Sequence, residues 1–95
     1  MFFIECQIYA NGIPSVPDNK KMIMFGRTDT KESIHAAIRR EFNIDSKDET
    51  RLWVRFGGIG APWSPVHPFL LTSVPWDYVK ERALSGINLA LAGHR

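Results

Sequence analysis

Between Phe25 and Val54 the chain reads FGRTDTKESIHAAIRREFNIDSKDETRLWV, which is the end of one strand, a capped amphipathic helix, a short polar loop and a new strand opening at Thr50. Ile34, Ala37, Ile38 and Phe42 recur at helical spacing and form one apolar face, while Lys31, Glu32, His35, Arg39 and Arg40 project away from it. One face is built for a core and the other for water. The helix also marks its own ends. Asp29 or Thr30 supplies an oxygen for the free N–H groups of the first turn, and Glu32, three residues after Asp29, completes a capping-box pattern. At the far end Asn43 tolerates the left-handed conformation in which helices often stop, and Arg39 and Arg40 suit the negative end of the helix dipole.

A chain of 95 residues makes one domain, large enough to fold alone and too small to hold an extensive catalytic architecture as well. The domain is expected to span residues 1–95, with an irregular Gly/Pro-rich insertion at about 57–72. With 44% hydrophobic and 23% charged residues the composition is that of an ordinary globular protein. A net charge of +2 is too small an excess to argue for nucleic acid or an acidic membrane as partner. Cys6, the single cysteine, has no partner for an internal disulfide, which fits a reducing compartment. No apolar run approaches the length of a membrane span, and the start MFFIECQIYA lacks the pattern of a signal peptide. These features lead to the expectation of a soluble monomer in the cytoplasm or nucleus.

From the start of the chain, Phe2, Ile4, Cys6 and Ile8 alternate with Phe3, Glu5, Gln7 and Tyr9, the period of a half-buried strand, with Cys6 on the apolar side as a small core residue. The segment NGIPSVPDNKK reads as a turn or an enlarged hairpin loop, and Met22–Phe25 as the second strand. With Ile23 and Phe25 inward, Met22 and Met24 lie on the other face, either as a soft binding surface or as incidental apolar residues. After the helix, Leu52, Val54 and Phe56 alternate with Arg51, Trp53 and Arg55. If the first set is core, the second is a basic surface with a tryptophan at its centre. The stretch GGIGAPWSPVHPFLL then carries overlapping PxxP spacings at Pro62, Pro65 and Pro68, readable as a ligand for SH3-type grooves or as a structured loop whose aromatic residue packs down. Ser73 and Pro75 open a short helix that stops at Gly86, and Ile87–Leu91 alternates as a final strand with Ile87, Leu89 and Leu91 inward.

The order is thus strand, strand, helix, strand, irregular stretch, short helix, strand. That is the order of an α+β domain of the β-grasp type, a mixed sheet crossed by one main helix and accompanied by a short second one. The RNA-binding RRM fold needs a different order and an aromatic motif that is not here.

Three pieces of the chain carry a resemblance: Phe25–Thr30, Ile38–Arg40 with Phe42–Ile44, and Glu49–Trp53. Together, in one continuous register, they resemble the ubiquitin-like domain beside the DUSP domain in a group of ubiquitin-specific proteases, with its runs of the type FSRxDT, IRKxFNI and ETRLW. After Trp53 this chain reads Val54-Arg55-Phe56-Gly57-Gly58, where those domains continue with an Asn-Lys-Tyr type of sequence. The same register is more distantly similar to ubiquitin itself. That resemblance implies that Trp53, Asn88 and Ala90 share the face ubiquitin uses for its hydrophobic recognition patch. Trp53 would enlarge such a patch, or else merely cover the sheet or the Trp63 loop.

The resemblance implies a non-catalytic ubiquitin-like interaction domain that regulates or scaffolds a deubiquitinase, docking a partner around Arg51, Trp53 and Arg55, with Asn88 and Ala90 contributing from the neighbouring strand. The partner would be a protein, such as a deubiquitinase catalytic domain or another ubiquitin-pathway protein. The alternatives are a stand-alone modifier precursor and a spacer domain. The tail Ala92-Gly93-His94-Arg95 lacks the terminal Gly-Gly of a modifier. His35, His67 and His94 stand far apart, with no pairing to Cys6 and no HxxxH or CxxC spacing, so no catalytic residue, metal site or cofactor is expected.

Overall fold

Alternation in the first strand sorts the sheet into two faces. Ile4 and Cys6 turn inward and are buried, while Phe3 on the opposite side is exposed. The structure, a computed structural model, describes residues 2–9, 19–45, 47–58, 60–66, 74–83 and 86–93. Its elements are β1 (Phe2–Tyr9), β2 (Asn19–Phe25), α1 (Lys31–Glu41), β3 (Thr50–Phe56), β4 (Trp63–Pro65), α2 (Trp76–Arg82) and β5 (Ile87–Gly93). The strands form one five-stranded mixed sheet in the order β2-β1-β5-β3-β4. Among the described strand pairs β1–β5 runs parallel, and β1–β2, β3–β5 and β3–β4 are antiparallel. The described residues make a small α+β domain with two helices.

The inner face holds the main core. Ile4 and Cys6 of β1, Ile23 and Phe25 of β2, Leu52 and Val54 of β3 and Ile87, Leu89 and Leu91 of β5 meet Ile34 and Ile38 of α1 and Val79 of α2. Each fully buried aliphatic side chain contributes about 1.5–3 kcal/mol through the water it sheds. Cys6 takes its expected place in this core. Its Sγ lies 3.5 Å from the Ile4 carbonyl, and burial, with Glu5 adding to the effect, pushes the thiol up to about 12. Fully buried among Ile4, Leu89 and the rest of that core, Cys6 serves as a small packing residue.

The helix α1 lies on the sheet by the face its sequence marks, with Ile34 and Ile38 fully buried and Ala37 and Phe42 partly so. Its cap differs from the expected pair. Thr30 is the N-cap and accepts from the Ser33 N–H at 3.0 Å, while Ser33 Oγ accepts from the Thr30 N–H at 2.9 Å. Ser33 therefore fills the place assigned to Glu32, because with Thr30 and not Asp29 as the N-cap the third helical position is Ser33 and Glu32 falls at the second. Asp29 instead ties the preceding turn, accepting from the Gly26 N–H at 2.7 Å and from the Ser33 hydroxyl at 2.9 Å. Asn43 sits in the left-handed region at φ 53°, where its sequence suggested the helix would stop.

Three boundaries depart from expectation. Strand β2 begins at Asn19, not Met22, because Lys20 and Lys21 continue the ladder opposite Gln7 and Cys6. Lys21 is held there from outside the strand: its ammonium donates to the Glu41 carbonyl at 2.9 Å and lies 5.5 Å from the centre of the Phe42 ring. The stretch expected to be irregular contains β4, whose Trp63, Ser64 and Pro65 pair with Arg55, Val54 and Trp53. Proline lacks a backbone N–H, and an edge strand is where a sheet tolerates it. Gly57, Gly58 and Gly60, at φ 92°, 80° and 95°, provide the left-handed turn that carries β3 into β4. Finally, β5 runs on to Gly93 and extends its pairing to Arg51↔Ala92 and Thr50↔Gly93.

Helix α2 has Pro75 as its N-cap and is pinned over the start of α1. The Trp76 indole donates to the Asp29 carbonyl at 3.1 Å and packs on Phe25 with ring centres 5.8 Å apart. The expected Ser73 cap, His67, His94 and Pro68 of the PxxP spacing lie outside the described residues. No helix among the described residues is long and apolar enough to cross a membrane.

Candidate functional site

The helices cover one face of the sheet, and the strand registers define what stands on the other. Across β2, β1, β5, β3 and β4 one row reads Met22, Glu5, Asn88, Arg55 and Trp63, and the next reads Lys20, Gln7, Ala90, Trp53 and Pro65. A third row carries Tyr9, Ala92 and Arg51. All five residues singled out from the sequence therefore share this outer face, with Trp53 directly opposite Ala90 and Arg55 directly opposite Asn88.

Their depths differ. Tyr9, Ala90 and Ala92 form a second buried cluster, separate from the main core, and Trp53 and Trp63 pack against it while staying partly exposed. Ala90 is 0% exposed, so it forms the floor beneath the tryptophans and offers no contact surface of its own. The reason lies in volume: small residues at positions 90 and 92 leave space that aromatic side chains from β1, β3 and β4 fill. Tyr9 and Trp63 meet edge to face, with ring centres 6.1 Å apart and planes at 76°.

The polar groups around this cluster are ordered too. The Tyr9 hydroxyl donates to Gln7 Oε1 at 2.6 Å, and Gln7 Nε2 donates to Glu5 Oε1 at 3.1 Å, which satisfies a glutamine side chain that is itself buried. Arg55 donates from Nε at 3.1 Å and from Nη2 at 2.9 Å to Asn88 Oδ1. Its guanidinium carbon lies 4.6 Å from the centre of the Trp63 ring, a stacked cation–π arrangement of about 0.5–2 kcal/mol. Asn88 thus acts on the surface through Arg55, by fixing where the cation stands.

Tyr9, Gln7, Trp63 and Ala92 belong to the same constellation but were not singled out as site residues. The parity of β1 already put Tyr9 and Gln7 on the outer side, and the pair of alanines two residues apart in β5 was the signal for a space to be filled.

A second polar cluster joins α1 to the start of β3 beside an open cleft of about 430 Å³ lined by Glu32, His35, Ala36, Arg39, Glu49, Thr50 and Arg51. His35 and Arg39, expected to project into water, are half-buried and turn to Thr50. Arg39 Nη1 donates to Thr50 Oγ1 at 2.7 Å and Nη2 donates to the Asp45 carbonyl at 2.7 Å. His35 Nε2 lies 2.8 Å from the same hydroxyl oxygen. Arginine only donates, so the hydroxyl oxygen accepts from Arg39, and the direction of its bond with His35 follows the imidazole tautomer. Burial holds the His35 pKa below its ordinary value, with Lys31 and Arg39 pushing the same way and Glu32 opposing. This cluster clamps a helix to a strand.

Comparison with protein-family models, with curated proteins and with solved structures finds no match to this chain.

Proposed function

We propose that this chain is a non-catalytic, ubiquitin-like protein-interaction domain of the β-grasp type, similar to those that regulate or scaffold a ubiquitin-specific protease. Two things support the architecture: the sheet order β2-β1-β5-β3-β4, parallel only between β1 and β5, and the placement of α1 between β2 and β3 against the inner face. The family assignment rests on the runs at Phe25–Thr30, Ile38–Ile44 and Glu49–Trp53.

The observation that carries the function is the aromatic platform on the face opposite α1 and α2, Trp53 and Trp63 over Ala90, with Arg55 stacked on Trp63 and Arg51 on the same strand face. Tryptophan and arginine are the side chains that most often dominate binding energy at protein interfaces. Arg55 is already ordered by Asn88 and Trp63, so it loses little conformational freedom when a partner arrives. An acidic partner surface complements the two arginines, and flat aromatic rings offer it contact area at low entropic cost. In this account Arg51, Trp53 and Arg55 touch the partner, Asn88 positions Arg55, and Ala90 supports Trp53.

The test is calorimetric titration of the chain with a deubiquitinase catalytic domain and with ubiquitin. Trp53→Ala, shown to be folded by its dispersed NMR spectrum, is expected to weaken binding to the partner about tenfold or more. A folded Trp53→Ala chain that binds as tightly as the parent contradicts the reading, and a parent that binds neither protein leaves the domain as a spacer.

A further inference from the structure

A cation keeps its charge for an incoming partner when the groups that hold it are neutral, and Arg55 is held in this way. Asn88 Oδ1 accepts from its Nε and Nη2, and the Trp63 ring covers one face of the guanidinium at 4.6 Å. Both holders are uncharged, and among the described residues no carboxylate joins them. Glu5 is the acid in the same row of the sheet. It stands on the far side of Asn88 from Arg55, and its Oε1 accepts from Gln7 Nε2.

A guanidinium carries five N–H groups in a planar fork. With two of them directed to Asn88, the remaining three include the pair on Nη1 and Nη2 that forms its outer end. That edge matches the two oxygens of a carboxylate. Trp53 lies two residues before Arg55 on the same side of β3, which at about 3.3 Å per residue puts the two Cα atoms roughly 7 Å apart. The Trp53 ring rests on the Ala90 cluster and stays partly exposed, so a charged fork and an apolar ring stand side by side.

We propose that Arg55 receives one side-chain carboxylate of the partner protein, an aspartate or glutamate accompanied by an apolar residue that lies on Trp53. This rests on the platform being the docking surface and adds the partner group that the platform selects. Arg55 is the specificity-determining residue, and Asn88 is a positioning residue that aims its fork. A phosphate group matches the site less well, since it brings close to two negative charges to the one guanidinium that Asn88 and Trp63 hold.

The test uses the pentapeptide Ala-Glu-Thr-Leu-Ala, acetylated and amidated so that the glutamate is its single carboxylate, and the same peptide with glutamine in place of glutamate. In an extended peptide the glutamate and leucine share a side at the spacing of Arg55 and Trp53. Each is titrated into the isotope-labelled chain and followed by NMR. The glutamate peptide is expected to shift the Arg55 Nε–H and the Trp53 indole N–H, and the glutamine peptide to bind about tenfold more weakly. Arg55→Lys keeps the charge and loses the fork, and Asn88→Asp sets a carboxylate against the guanidinium. Each is expected to weaken the glutamate peptide about tenfold while leaving the glutamine peptide unchanged, whereas damage to the surface itself would weaken both. The proposal is overturned if the two peptides bind equally, if neither shifts Arg55, if Arg55→Lys binds the glutamate peptide as tightly as the parent, or if inorganic phosphate displaces that peptide at a lower concentration than acetate does. Equal binding of both peptides with the Trp53 indole moved would overturn the carboxylate assignment and leave the platform standing, so the two failures are read separately.

Discussion

At Ala90 a methyl group is all the outer face has room for, since Trp53 and Trp63 close over the cluster it forms with Tyr9 and Ala92. Ala90→Leu pushes these rings apart and is expected to destabilise the fold by about 1–3 kcal/mol, read as a lower urea midpoint with an unchanged slope. The parity of β3 and β5 made the membership of this face legible in the sequence, because side chains two apart in a strand share a side. Depth was not legible: whether Ala90 is surface or floor depends on Tyr9 and Trp63, which reach it from other strands. His35 carries the pH dependence at this scale. Its folded pKa lies below the ordinary 6.5, so its contribution is fully present above that value. As pH falls through it the unfolded chain takes up the proton first, and stability is lost. Urea midpoints of the parent are therefore expected to fall between pH 7.5 and pH 5.5 by more than those of His35→Gln, whose amide keeps a polar partner for Thr50. Equal falls in the two chains would contradict the role given to His35.

At the scale of the element, α1 was the most legible part of the chain because its signals are local: an apolar stripe, a cap and a stop within consecutive turns. Even so, the reciprocal cap is Thr30 with Ser33, and Thr30→Ala is expected to cost about 1 kcal/mol, with faster amide exchange confined to the first turn of α1. Glu32→Ala, which leaves both capping bonds in place, is expected to change little. The strand β4 was the least legible element. Trp63-Ser64-Pro65 has no periodicity to read in three residues and includes a proline, and it becomes a strand only through its pairing with β3. Long-range pairing of this kind leaves no local trace. The same holds for the clamp from His35 and Arg39 to Thr50, which joins positions on different elements.

For the whole molecule, the division of labour between the two sheet faces is the central point. The inner face and its helices make the core, and the outer face holds the aromatic platform and, at the β2 end, the exposed methionines. The α+β class followed from the order of elements, and the sheet order adds what sequence order alone does not supply, namely that β5 returns to the middle and brings Asn88 and Ala90 beside β3. The most direct measurement is a proton–nitrogen NMR titration of the intact chain with a deubiquitinase catalytic domain. Shifts concentrated at Arg51, Trp53, its indole N–H, Arg55 and Asn88, with α1 and α2 unmoved, are the predicted result. Shifts centred on the exposed side of α1 or α2, with the Trp53 indole unmoved, would contradict the assignment of the outer face as the docking surface.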